Sequence, residues 1–163
     1  MIESLKYYSQ LLKFRLSLTV VFSAMAGYLL GVSCFSFSEF FLLLFGGFLV
    51  TGSANGFNQI LEGDYDKLMK RTEDRPLPQK NLKPSSAILF SIIIGLLGFY
   101  LLSLIKPHGS FYGLLSKSSA FGLLSLMIYV LSYTPLKRMS TASIFVGAIP
   151  GAIPVLLGWV AAT

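Results

Sequence analysis

Charge is what this sequence has least of. Only 12% of its 163 residues are charged, while 54% are hydrophobic and the mean hydropathy is +0.71. A soluble domain carries roughly a quarter charged residues. The balance excludes an ordinary soluble globule, and equally a disordered tail. A single cysteine, Cys34, in an apolar stretch excludes a disulfide scaffold and says nothing about redox compartment. The apolar stretches lack the period-2 alternation of membrane barrel strands. There is no internal repeat, no low-complexity segment and no cleavable signal pattern. Glu3 and the length of the first apolar run instead point to a retained first helix.

What is present is a set of long charge-free runs. The charged side chains leave five: Leu16–Ser38, Phe40–Leu61, Pro84–Ile105, Ser118–Leu136 and Met139–Thr163. A helix crossing the hydrocarbon core needs ~20 residues at 1.5 Å each. The runs therefore predict an all-α, polytopic bundle of five transmembrane helices, about 16–38, 40–61, 84–105, 118–136 and 139–163, in one membrane domain. Buried core helices of a soluble protein are excluded, because a chain this short has too little polar surface to wrap five of them.

The basic residues orient the chain. Lys6, Lys13 and Arg15 precede the first run. Lys67, Lys70, Arg71, Arg75, Lys80 and Lys83 lie in the second connection, and Lys137 and Arg138 in the fourth. The other side holds only Lys106 and Lys117, so 11 of 13 basic residues share one side. The positive-inside rule places the N-terminus and the 62–83 loop in the cytoplasm. The net charge of +6 is mostly this asymmetry, and since it sits in short loops between spans it does not indicate nucleic-acid binding.

Five of the seven acids fall between Glu62 and Lys83. Asn58, Glu62 and Asp66 are spaced by four, which puts their side chains on one helix face over about 12 Å. Carboxylates so placed repel each other, so a cation belongs between them. Hard oxygen ligands on a short span suit Mg²⁺, which prefers a few carboxylates plus substrate phosphates and water. Asp64 lies off that face of a regular helix, but Gly63 offers a break that would bring it in as a third, weaker metal candidate. Lys70, Arg71 and Arg75 follow at once, and guanidinium forks suit phosphate. Acids for a metal beside bases for phosphate describe a metal–diphosphate site. The plain alternative is an interfacial loop whose acids and bases pair with each other. Tyr129, Tyr133 and Lys137 are again spaced by four, with Arg138 adjoining, and could face the same diphosphate. A lysine there could equally snorkel to headgroups.

The pattern Asn58-x3-Glu62-x3-Asp66, followed by Arg71-Thr72-x-x-Arg75-Pro76-Leu77, resembles the first acidic motif of the UbiA-type intramembrane prenyltransferases. Glu62 replaces the family's usual aspartate and keeps the carboxylate. The stretch Tyr133-Thr134-Pro135-Leu136-Lys137-Arg138, with Gly147–Pro154 and Gly158-Trp159, is similar to the branch that prenylates heme B. Val155 and Ser143 depart from that branch, where a second proline and an asparagine are common.

The resemblance implies Mg²⁺ held by Glu62 and Asp66, with Asn58 on the substrate or its surroundings. It implies a diphosphate bound by Lys70, Arg71, Arg75, Tyr133, Lys137 and Arg138. The donor would be farnesyl diphosphate, the acceptor heme B and the product heme O, in the cytoplasmic (inner) membrane of a bacterium, among membrane lipid. Partners would be heme A synthase or cytochrome oxidase assembly proteins, and no nucleic acid. An aromatic or quinone-precursor acceptor, or a non-catalytic heme- or isoprenoid-binding membrane protein, remain as alternatives. A transporter would carry its ionisable groups at the midplane, often in repeats.

The family has about nine helices and a second acidic motif. Here the acids outside the loop are Glu3 and Glu39 alone. The resemblance thus implies the N-terminal part of a longer protein, which by itself should bind diphosphate poorly and not turn over.

Several other residues carry weaker expectations. His108 reads as an exposed loop histidine. Met25, Met69, Met127 and Met139 read as packing. Asn55, with Gly52, Ser53 and Gly56, is either a pocket residue or an interhelical hydrogen-bond partner. Phe14 and Phe22 line a channel or face lipid. Gly147, Gly151 and Ala152 should permit close helix contact, with Pro150 and Pro154 bending the span.

Overall fold

The computed structural model describes residues 2–106, 110–111 and 115–163; His108 lies outside them. A short helix α1 (Ile2–Leu11) leads into the spans α2 (Phe14–Gly31), α3 (Phe37–Asp66) and α4 (Pro84–Ser103). Two-residue strands β1 (Ser110–Phe111) and β2 (Leu115–Ser116) pair antiparallel. The fourth span is composite: α5 (Lys117–Met127), a π-helical turn over Ile128–Tyr133, and α6 (Thr134–Leu136). The last span is α7 (Ser143–Ala162). Five helices are thus long and apolar enough to cross a membrane.

The span boundaries differ from the expected ones for local reasons. The first apolar run overshoots because Ser36 caps α3, accepting from the Glu39 N–H, and its first turn carries the acid that the helix dipole favours. The segment 32–36 is therefore a turn between spans, not helix. At the other end α3 continues through Gly63 to Asp66, so the charged loop begins at residue 67 and not at 62. Pro84 at the first turn of α4 is where sequence places it, since the missing N–H is unneeded there. The π turn sits just before Pro135. Pro135 has no N–H to give the Leu131 carbonyl, and Thr134 donates both its backbone N–H and, at 2.8 Å, its hydroxyl to the Tyr129 carbonyl.

The five spans pack as a ring, α2–α3–α4–α5–α7 and back to α2. Small residues set the closest crossings, as expected where lipid removes the hydrophobic drive between helices. A Cβ on Gly98 would stand 3.0 Å from the Gly46 carbonyl oxygen, which brings α3 and α4 into backbone contact. Gly27 and Gly158 do the same for α2 and α7. Gly147 instead packs against the Tyr133 ring, and Gly151 has nothing within 4 Å, so the expected close contact at Gly151 is absent. α7 runs on through Pro150 and Pro154.

Outward faces are apolar. Phe22 and Phe145 are largely exposed, and Phe14 is half-exposed, which settles Phe14 and Phe22 on the outside of the ring. Met69, Met127 and Met139 are exposed as well, contrary to a packing role. The loop after α3 folds back onto the bundle. Leu77 and Leu82 join Leu11 and Ala87 in a small apolar cluster, and the buried Thr72 hydroxyl donates to the Asp66 carbonyl at 3.0 Å.

Candidate active site

The helix that carries Asn58, Glu62 and Asp66 stays regular beyond the apolar run, so the four-residue spacing holds in space. All three side chains are buried, at 3%, 7% and 3% exposure. They line a cavity of about 350 Å³ at the loop end of the ring, together with Lys13, Arg71, Arg75, Tyr133, Lys137 and Arg138. Basic groups from two elements reach the carboxylates. Arg75 Nη1 lies 2.6 Å from Asp66 Oδ2, and Lys137 Nζ lies 3.2 Å from Glu62 Oε1. The other oxygen of each carboxylate accepts no hydrogen bond among the described residues. Arg138 lies over the Tyr65 ring at 4.1 Å and donates to the Leu61 carbonyl.

Two expected members lie elsewhere. Asp64 is 92% exposed in its side chain and pairs with Lys67 at 2.9 Å on the outer face of α3. Because Gly63 does not break the helix, the six residues from Asn58 carry Asp64 about 240° round it, and Asp64 does not line the cavity. Lys70 is exposed on the loop and does not line the cavity.

One member went unrecognised in the sequence. Lys13 enters the cavity from the break between α1 and α2, and its Nζ donates to Asn58 Oδ1 at 3.0 Å. Asn58 Nδ2 in turn donates to Thr134 Oγ1 at 3.3 Å. Burial pushes the Lys13 ammonium down from 10.5 to about 8; Arg75 and Lys137 add repulsion, and Glu62 and Asp66 oppose it. In the sequence Lys13 is one of three bases ahead of an apolar run and weighs only in the orientation count. No spacing rule connects it to a residue 45 positions later.

The cavity adjoins a larger, apolar one. Tyr129, Tyr133 and Lys137 line both. The second holds about 560 Å³ and is walled by α2, α3, the composite fourth span and α7, with Val50, Leu126, Pro154 and Leu157 among its lining. The Tyr129 and Tyr133 rings lie 5.3 Å apart, tilted by 32°, where the two cavities meet. Asn55 also lines the apolar cavity, but its amide donates to Ser17 Oγ at 3.1 Å, so it satisfies both readings of that residue at once.

The residues fit a divalent cation only in company. No group of three or more acid, histidine or cysteine side chains stands together among the described residues. Two carboxylates make only part of a shell, which Mg²⁺ completes with phosphate oxygens and water. The adjacent Arg71, Arg75 and Lys137 supply the counter-charge for such a phosphate. A dipole-lined polar mouth over a greasy chamber suits a molecule with a charged head and a hydrocarbon tail.

Comparison with known proteins identifies the family and the fold. Residues 20–163 match the family described as the UbiA prenyltransferase family. The protoheme IX farnesyltransferase of Flavobacterium psychrophilum is 41% identical over 159 residues, covering 96% of this chain and 50% of that protein. That of Christiangramia forsetii is 42% identical over 156 residues, covering 96% and 49%. The human mitochondrial protoheme IX farnesyltransferase is 36% identical, covering 95% and 33%. The chain thus spans about half the length of the bacterial relatives it matches.

Among solved structures, one described as digeranylgeranylglyceryl phosphate synthase superposes with a TM-score of 0.85 at 23% identity, covering 99% of this chain and 54% of the other. A UbiA homolog from Archaeoglobus fulgidus, bound to DMAPP and Mg²⁺, gives 0.81 at 18%, covering 96% and 54%. The shared fold, the matched span and the named relatives agree: this integral membrane chain belongs to the UbiA prenyltransferase family.

Proposed function

We propose that the protein is a Mg²⁺-dependent prenyltransferase that moves a farnesyl group from farnesyl diphosphate to a vinyl group of heme B, giving heme O. One observation carries the chemistry. Two buried carboxylates, Glu62 and Asp66, share a polar cavity with five basic side chains, and that cavity shares Tyr129, Tyr133 and Lys137 with an adjoining apolar chamber. The choice of heme and farnesyl rests on the relatives, since the acceptor leaves no signature among these residues.

Glu62 and Asp66 would hold the metal. Bound Mg²⁺ supplies Lewis-acid stabilisation of negative charge on the leaving diphosphate. Arg71, Arg75, Lys137 and Arg138 stabilise the same charge as the C1–O bond breaks. No protein nucleophile is required, because the allylic cation left on the farnesyl group is attacked by the vinyl carbon. Water then adds to the resulting cation and loses a proton, which completes a hydroxyethylfarnesyl group. Until that attack, the apolar walls keep water from the allylic cation, and Tyr129 and Tyr133 flank its path between the chambers. The basic loops orient the site toward the cytoplasm of a bacterial inner membrane.

The test uses protein expressed from its own gene, in membranes supplied with heme B, farnesyl diphosphate and Mg²⁺. Heme O should form, cease with EDTA, and fall by at least about 100-fold in Asp66→Asn. Normal transfer by Asp66→Asn refutes the site. Prenylation of a phenolic acceptor in preference to heme B transfers the same site to the quinone-precursor reading.

A further inference from the structure

The polar side chains of α3 are spent in an unexpected place. Asn55 and Gln59, both buried, donate to the chain where α1 ends and α2 begins. Gln59 Nε2 reaches the Leu11 carbonyl at 2.7 Å and Asn55 Nδ2 the Leu12 carbonyl at 3.4 Å. Ser17 Oγ, itself bonded by Asn55, also donates to the Leu12 carbonyl at 2.7 Å. Gly52 leaves room for the Leu12 side chain, which a Cβ there would meet at 2.5 Å. The next residue, Lys13, has φ 47° and ψ 57°, a left-handed backbone that is strained for a non-glycine residue. A strained joint held by three side chains and a glycine has one visible product: the Lys13 ammonium projects into the polar cavity.

Asn58 completes the arrangement. Its two amide ends are both engaged, the oxygen by Lys13 and the nitrogen by Thr134. The Thr134 hydroxyl is committed to the Tyr129 carbonyl, so the amide orientation is fixed. The Asn58 oxygen therefore points at an ammonium and not at the carboxylates' free edges.

We propose that Lys13 is a substrate-contacting cation that binds the diphosphate of the prenyl donor, and that Asn58 is a positioning residue that acts through Lys13 and not as a metal ligand. The inference rests on the metal–diphosphate reading of this cavity. Phosphate is the shared chemistry of two sources, a soluble diphosphate and a lipid headgroup. The partial burial of the lysine in the cavity lining and its bond to Asn58 favour the first.

The experiment is a calorimetric titration of the protein expressed from its own gene and purified in phosphate-free detergent. Inorganic diphosphate is added at saturating Mg²⁺, and Mg²⁺ is titrated separately without diphosphate. Lys13→Met should weaken diphosphate by about 10- to 100-fold, the range of a hydrogen bond to a charged group. Lys13→Arg should retain most of the affinity. Asn58→Ala should lose about as much as Lys13→Met, and the double variant no more than either alone, because the two act as one unit. Mg²⁺ binding without diphosphate should be unchanged in Asn58→Ala.

Additive losses in the double variant, or weakened Mg²⁺ binding in Asn58→Ala, overturn the positioning role. Unchanged diphosphate affinity in Lys13→Met overturns the contact; if that variant instead loses retained phospholipid, the lysine serves a headgroup. Asp66→Asn separates the two levels of argument. Its retention of Mg²⁺-dependent diphosphate binding would defeat the underlying site, whereas its loss alongside a neutral Lys13→Met defeats only this inference. A misfolded Lys13→Met is recognised by Lys13→Arg, which must then both fold and bind.

Discussion

Gly158 is the position where one added methyl group should matter most. A Cβ built there would lie 1.8 Å from the Ala24 carbonyl oxygen and 2.7 Å from the Tyr28 nitrogen, both backbone atoms of α2. Backbone cannot rotate aside as a side chain can. To bring the oxygen contact back to 3.0 Å, α2 and α7 must part by about 1.2 Å. A gap of that size forfeits roughly half of the dispersion energy of contacts along the crossing. Overpacking of a close contact costs ~1–3 kcal/mol. With a rigid obstacle Gly158→Ala belongs at the upper end, about 3 kcal/mol, on the order of a 100-fold shift toward the unfolded state. The same shift moves Pro150, Ile153, Pro154 and Leu157, which wall the apolar cavity, so turnover should fall with stability. Reversible unfolding in mixed detergent micelles measures the first, and heme O formation the second. Gly151→Ala is the matched control on the same helix, since nothing lies within 4 Å of its added carbon. A Gly158→Ala protein within about 0.5 kcal/mol of the parent, or one no less stable than Gly151→Ala, would refute the backbone-contact reasoning.

Three further outcomes follow from the site. Gly147→Ala puts a methyl group 2.7 Å from the Tyr133 ring, which must swing into the junction of the two cavities; KM for the prenyl donor should rise while Mg²⁺ affinity holds, as steady-state assays over both concentrations will read. Asp64→Ala should leave stability within ~0.5 kcal/mol and Mg²⁺-dependent diphosphate binding unchanged; a large loss in titration would return Asp64 to the site. Because the Lys13 ammonium sits at about 8, facing Arg75, Glu62, Asp66 and Lys137, diphosphate affinity should fall as pH rises through 8. Stability of the free protein should instead rise between about 8 and 10.5, where the unfolded chain still holds the proton and the folded chain has released it. Lys13→Arg should flatten the affinity profile, and an identical fall in that variant would assign the titration elsewhere.

The amino-acid sequence by itself determined the class of molecule, because its signals are local. Charge-free runs of helix-spanning length state five spans without any knowledge of their neighbours, and a spacing of four commits Asn58, Glu62 and Asp66 to one face of whichever helix carries them. Arg71, Arg75, Lys137 and Arg138 were legible as partners of the acids for the same reason, and all four line the cavity: residue type and adjacency to acids need no tertiary information. Helix ends were less legible. The Ser36 cap and the run through Gly63 depend on competition between a few hydrogen bonds and a weak propensity, which hydropathy does not register.

Tertiary packing alone decided which groups meet. That Asp64 faces out followed only once Gly63 was seen to continue the helix. The ring of spans, its apolar chamber and the Tyr133 junction arise from backbone contacts at Gly27, Gly46, Gly98 and Gly158, and a glycine that touches a partner looks in sequence like Gly151, which touches none. Lys13 shows the limit most clearly. It reaches the site through a left-handed joint held by side chains more than 40 residues away. Contact at that separation is set by how helices cross, and no periodicity along the chain encodes it.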